Sequence, residues 1–485
     1  MTKIAEPTRR TSEIRAALDH PIVDVDAHQL EVVPVILDLL RDVGGPTMPG
    51  RFLEHFGWVR RTFRMTPEER ADARAPVPVW WPMPTENTID RATTVLPGLL
   101  YERMDEIGLD FSIVYPGTGL LVVTLPGMAD EDLRRAAARA YNLYNAEMFA
   151  GFADRLTPAA VIPMHTPEEA IEELDFAIGT LGLKVALLAG DVLRPVPAIA
   201  REHPGLEQHV FYQDCFGIDS PYDYDPVWQR CADLRVAPTF HSGPIGWGTR
   251  ASISRHQYNQ LGGFAEGGEA LCKALFFGGV TRRFPGLRFG FLEGGVAWAQ
   301  ALYCRMLEHW KKRNAEAILH LDPALLDSAY FAELIDAYGD ERVRNHRDRL
   351  VAELMWADHP EELDDWSACG ITSPDGVAQR FVPSFFFGCE GDDRLNALAF
   401  DTKVNPFDAR LNAMFGSDIG HFDVEDMAGI VEEVYELVEK GLVDERDFRD
   451  FAFENAVRLH GGMNPDFFEG TVVRDAAAEV LAKRR

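Results

Sequence analysis

Short runs of apolar, β-branched and aromatic residues recur along the chain, each closed by Gly, Pro or polar residues. They cover Ile22–His28, Phe111–Pro116, Thr157–Pro163, Lys184–Gly190, Val236–Gly243, Leu287–Gly295, Ser384–Gly391 and Ala413–Gly420. Between them the apolar positions fall at helical spacing, as in Asp130–Phe149, Pro167–Thr180, Val227–Leu234, Glu269–Phe284 and Val424–Lys440. Strand then helix, eight times over, predicts an α/β fold of the closed (β/α)8 type, a TIM barrel. Most of the runs are apolar nearly throughout, as strands are when helices cover them outside and side chains fill them inside.

Two stretches exceed this repeat. One, about 41–97, follows the first strand and carries WVRRTFR and VWWPMPTENTIDR; the other, about 311–383, follows the sixth strand and its helix and is charged and helical. Loops of this length on the strand-to-helix side form lids, substrate walls or subunit contacts. The expected division is an N-terminal arm (1–20), a barrel (21–470) containing both insertions, and a helical tail (471–485). A barrel with insertions accounts for 485 residues as one domain.

The formal net charge of −29 argues against a nucleic-acid partner, which needs basic patches, and reads most simply as a source of solubility. An anionic substrate would then need a local Arg or Lys. No stretch approaches the ~18–20 unbroken apolar residues of a membrane span. The charged N-terminus, MTKIAEPTRRTSEIRAALDH, has no signal-peptide core, so a cytoplasmic location is expected. Cys215, Cys231, Cys272, Cys304, Cys369 and Cys389 form no CxxC pair and read as reduced, mostly buried thiols.

In such a barrel the chemistry sits at the C-terminal ends of the strands. The first strand ends DVDAH, placing Asp24, Asp26 and His28 two residues apart and so on one side. A carboxylate and an imidazole so spaced can reach one cation, at about 2.0–2.2 Å each, although turn capping explains many such pairs. The fifth strand ends in His241, the sixth reaches Glu293, and the eighth ends GSDIGH with Asp418 and His421. Singly, His241 reads as a hydrogen-bonded structural residue and Asp418 as a helix cap. Taken together, they place ionisable groups around one barrel mouth.

The segments DVDAH, GLDFSIVYP, RLTPAAVIPMHTPEEAIEEL, APTFHSG, GGVTRRFPGLRFGFLEGG and FGSDIGHFD make the chain resemble the amidohydrolase superfamily. The resemblance is to its amidohydrolase-2 branch, which includes aminocarboxymuconate-semialdehyde decarboxylase-like enzymes, and spans nearly the whole barrel apart from the two insertions. It implies that Asp26, His28 and His241 bind a divalent metal, with Asp418 as ligand or proton-shuttling partner. Glu293 stands where the best-known decarboxylases of the branch carry a His. It is expected to serve as a base, to position water or to hydrogen-bond a ligand His. Binuclear relatives use a modified Lys at the mouth of the fourth strand. Lys184 lies at the opposite end of that strand and reads as solvated, so a single ion is expected, Zn2+ first and Mn2+ second.

These features predict a metal-dependent hydrolase that activates water against a C–N, C–O or activated C–C bond of a small cyclic or aromatic molecule. Asp418, Glu293 and His241 carry the catalysis in this reading. The alternatives are a non-oxidative decarboxylase of an aromatic or related carboxylic acid, and a non-catalytic barrel scaffold. Candidate substrate contacts are Arg250, Arg255, His256, Trp247, Glu390 and His421, with Trp80 and Trp81 as further pocket walls. Asp392 and Asp393 either shape the pocket or cap the next helix. His165 is expected mainly to cap the helix beginning TPEEA. The resemblance also implies a homodimer.

Overall fold

Eight parallel strands stand in sequence order: β1 (Val23–Gln29), β2 (Phe111–Pro116), β3 (Leu156–Ile162), β4 (Val185–Leu188), β5 (Pro238–Phe240), β6 (Phe289–Phe291), β7 (Phe385–Glu390) and β8 (Asn412–Gly416). The structure is a computed structural model, and it describes residues 5–77, 86–124, 130–206, 209–242, 250–354, 363–421 and 424–483. Each strand pairs with its neighbour, and the turn after β8 closes the ring onto β1. Asp418 N–H donates to Asp26 O (2.9 Å) and His28 N–H to Ile419 O (2.7 Å). The architecture is the predicted (β/α)8 barrel.

The strands are buried on both faces because helices cover them. Between β5–β7 and the helices, Phe240, Phe289, Phe291, Phe385 and Phe387 pack with Trp228 and Trp298; ring centroids lie 5.3–6.5 Å apart in the stacked and edge-on arrangements that π-quadrupoles favour. The long helix Glu131–Phe149 opens at Asp130, whose carboxylate accepts Leu133 N–H (3.2 Å), and places Glu131 and Asp132 at its positive end.

Several expectations shift. The helical pattern Glu269–Phe284 splits into helices Gly263–Phe277 and Val280–Arg283. The break falls where Gly278 crosses Gly217; a Cβ at Gly278 would lie 1.7 Å from Gly217 O. The pattern Val424–Lys440 becomes a loop, one 3-10 turn (Met427–Gly429) and the helix Ile430–Glu439. Thr166, not His165, caps helix Pro167–Leu174, its side chain accepting Glu169 N–H at 3.2 Å. An antiparallel hairpin, Val192–Pro195 with Phe211–Asp214, follows β4 and was not anticipated.

The first insertion holds helices Met48–Arg64, Pro67–Ala73 and Thr88–Thr93. The second holds Ser328–Tyr338, Arg347–Leu354 and Pro374–Ser384. The first is anchored by buried Arg103, which bonds Asp90 (2.6 Å) and Glu106 (2.9 Å), while Asp90 also accepts Met427 N–H (3.0 Å) beyond β8. All six cysteines are free, and four are buried. No described helix is long and apolar enough to cross a membrane.

Candidate metal centre

Six ionisable side chains converge at the C-terminal end of the barrel. Asp26 and His28 come from β1, His241 follows β5, Glu293 follows β6, and Asp418 and His421 follow β8. His28 Nε2 lies 3.5 Å from Asp26 Oδ1 and 3.1 Å from Asp418 Oδ1. His241 Nε2 lies 2.8 Å from Glu293 Oε2 and 4.0 Å from Asp26 Oδ1. His421 Nδ1–H donates to Asp418 Oδ2 at 2.6 Å, and its ring stacks on that of His28 with centroids 3.9 Å apart.

Two sets of donor atoms are close enough together to hold an ion: Asp26, His28 and His241, and His28, Glu293, Asp418 and His421. The tautomers suit this. His241 Nδ1–H donates to Ser242 O (2.7 Å), which turns the lone pair of Nε2 towards the cluster. Asp26 Oδ1 is fully buried and has no hydrogen-bond partner among the described residues. A buried carboxylate oxygen left bare between two imidazoles is costly unless a cation meets it, so the residues present fit a divalent ion.

The electrostatics agree. Burial pushes the Asp26 carboxyl well above its usual value, and Glu293 and Asp418 add to that push while His241 opposes it. Burial also pulls His28 down to about 3, helped by His421, so its imidazole is neutral and free to donate electrons. His241 is lowered by burial too, against the pull of Asp26. Burial would raise Asp418, but the charge and hydrogen bond of His421, with His28 close by, outweigh it and hold the carboxyl low.

Local backbone explains how these groups are aimed. Glu293 (φ 57°) and Asp418 (φ 54°) both sit in the left-handed region that non-glycine residues avoid, at about 1–3 kcal/mol each. A register shift in β1 between Asp24 and Ala27 marks a bulge across Val25 and Asp26. From this strand Asp26 and His28 join the donor sets and Asp24 does not. Asp24 instead bonds Ser112 and Ser417. Asp418 is no helix cap, since the next helical turn begins at Met427.

The other candidates scatter. Arg250 is exposed and pairs with Glu266 at 2.8 Å. Arg255 is exposed and bonds Ser254 O, and His256 is buried at the start of helix His256–Gln260. Glu390 is exposed at the end of β7. Asp393 caps the turn Arg394–Ala399 through Leu395 N–H (2.8 Å), while Asp392 is exposed. His165 is half-buried beside Arg134 and Arg194. Lys184 is not simply solvated; it is half-buried and donates to Phe467 O at 2.8 Å, far from the mouth. Trp80, Trp81 and Trp247 lie outside the described residues. Sequence reasoning missed Ser112 and Ser417 as partners of Asp24, because a buried hydroxyl leaves no periodic signal.

A family model described as Amidohydrolase matches residues 25–343. The chain belongs to the amidohydrolase family. The matched region of this amidohydrolase includes Asp26, His28, His241 and Glu293, and ends before Asp418. Among solved structures it is similar to an amidohydrolase from Mycobacterium avium subsp. paratuberculosis K-10, at 18% identity over 92% of this chain and 99% of that one, with a TM-score of 0.51. It is also similar to a dihydroxybenzoic acid decarboxylase from Polaromonas sp. JS666, solved with manganese and 2-nitroresorcinol (15% identity, 91% and 97% coverage, TM-score 0.47). A third is a 5-carboxyvanillate decarboxylase from Novosphingobium aromaticivorans, solved with manganese and 4-hydroxy-3-methoxy-5-nitrobenzoic acid (13%, 95% and 99%, TM-score 0.45). At these identities the likeness is one of fold. The family and the donor cluster together make this a metal-dependent enzyme of the amidohydrolase type, with a place for one divalent ion.

Proposed function

We propose that Asp26, His28, His241 and Asp418 hold one divalent ion, and that this amidohydrolase hydrolyses a C–N, C–O or activated C–C bond in a small cyclic or aromatic molecule. The observation that carries the proposal is the bare, buried Asp26 Oδ1 facing His28 and His241. When bound, a divalent ion supplies Lewis acidity, polarising a carbonyl and lowering the pKa of water towards ~7.

The chain's own groups do the rest. His241, fixed by Ser242 O, and His28, neutral through burial, keep their lone pairs available. Glu293 Oε2, beside His241 Nε2, accepts a hydrogen bond from an incoming water and orients it for attack. Asp418 takes the proton that the water loses on attack, shares it with His421 across 2.6 Å, and passes it to the leaving group. Zn2+ suits the two imidazoles, and Mn2+ suits the two carboxylates. A homodimer in the cytoplasm belongs to the same reading.

The Asp418–His421 pair also supports a second reading, non-oxidative decarboxylation, in which the shared proton goes to carbon as CO2 leaves. Elemental analysis of the purified protein tests the common premise, with about one metal per chain expected. Assays on hydroxybenzoates, cyclic amides and diketones then separate the two chemistries. Products heavier by one water support hydrolysis, and products lighter by CO2 overturn it.

A further inference from the structure

We infer that Asp24 and Ser417 form a positioning clamp that sets the orientation of Asp26 and Asp418. The inference rests on the metal-site reading above.

Asp24 is fully buried on β1 and uses both carboxylate oxygens. Oδ1 accepts Ser417 N–H (2.9 Å) and Asp26 N–H (3.1 Å); Oδ2 accepts Ser417 Oγ–H (2.7 Å) and Ser112 Oγ–H (2.7 Å). Three of these four bonds go to a candidate ligand's own peptide or to the residue just before the other carboxylate. Ser417 carries the grip further, since its Oγ accepts Ile419 N–H at 3.2 Å. Backbone bonds complete the circuit, from Asp418 N–H to Asp26 O and from His28 N–H to Ile419 O.

Asp418 therefore sits between two residues whose polar groups are tied to β1. Its left-handed backbone, unfavourable for an aspartate, persists because the surroundings over-determine it. On the other side of the clamp, the N–H of Asp26 is held within the β1 bulge. A carboxylate taken wholly out of water needs several donors, and Asp24 draws most of its own from the two segments that must be aligned. Outer partners of this kind tune metal affinity by about 10–100-fold.

Ser112 supplies the control. Its hydroxyl makes an equally short bond to the same Asp24 oxygen but lies on β2, away from both candidate ligands. Affinity for Zn2+ and for Mn2+ would be measured by chelator competition, alongside the melting midpoint of the metal-free proteins. Ser417→Ala and Asp24→Asn are expected to weaken metal binding about tenfold or more, against under about threefold for Ser112→Ala. The two serine variants should lose similar metal-free stability, and Ser417→Thr should recover affinity by restoring the hydroxyl.

Equal affinity losses in Ser112→Ala and Ser417→Ala, or none in either, would overturn the clamp. A wild-type protein that binds neither ion would instead sink the metal reading itself. Should Ser417→Ala fail to fold, Asp24→Asn against Ser112→Ala gives the same comparison.

Discussion

Glu293 and Asp26 are both buried carboxylates of the mouth, yet their neighbours give them different work. Asp26 Oδ1 faces two imidazoles and has no hydrogen-bond donor among the described residues, so its charge suits a cation. Asp26→Asn keeps the volume and removes that charge; metal affinity should fall more than about 100-fold, beyond the range of outer-partner effects, as read by competition with a chelator. Glu293 lies against His241, where a group that handles water would stand. Glu293→Gln should keep the ion and lose turnover by about 10²–10⁴-fold. Loss of the ion instead would assign Glu293 to holding it. The mouth residues were legible because each ends an apolar run, in DVDAH, APTFHSG, FLEGG and GSDIGH. The substrate contacts were not. An Arg in a loop looks alike whether it meets a ligand or, as Arg250 does, a surface Glu such as Glu266.

The turn after β8 is the element that joins the two sides of the site. Gly420 adopts φ +106°, and a Cβ there would lie 2.4 Å from His28 O. Gly420→Ala should therefore cost at least about 1–3 kcal/mol of backbone strain and also displace His28. A lower denaturant midpoint in the metal-free protein, together with weakened ion binding, would show both effects; an unchanged pair of values would contradict them. Strand positions emerged well from sequence because a strand buried on both faces is mostly apolar, as FSIVYP is at β2. Element ends were less legible. The Gly278–Gly279 break reflects contact with distant Gly217, and the bulge across Val25 and Asp26 depends on pairing with β2; neither leaves a trace in local spacing. The hairpin Val192–Pro195 with Phe211–Asp214 escaped because its strands are short and only partly buried.

Across the whole molecule, buried neutral histidines shape acid tolerance. His460, stacked on Phe467 at 4.7 Å, is pulled down to about 3 by burial alone. The unfolded chain protonates this histidine below about 6.5 and the folded protein does not until about 3. The unfolded state thus binds more protons in that window, and stability falls as pH drops through it, by up to about 1.4 kcal/mol per unit. His460→Phe removes this loss without touching the mouth. Between pH 7 and pH 5 the variant should lose about 2 kcal/mol less than the parent in denaturant titrations. Identical pH dependence would mean that His460 takes up its proton in the folded state as readily as in the unfolded one.

The ring shuts between its first and last strands, with the donors split across that join. A ribosome must therefore release the chain through β8 before residues 26 and 418 can meet. Any fragment lacking β8 should be chemically silent. Under the proposed ligand set, a captured ion would rivet β1 to β8, binding only the finished ring and so stabilising it by mass action.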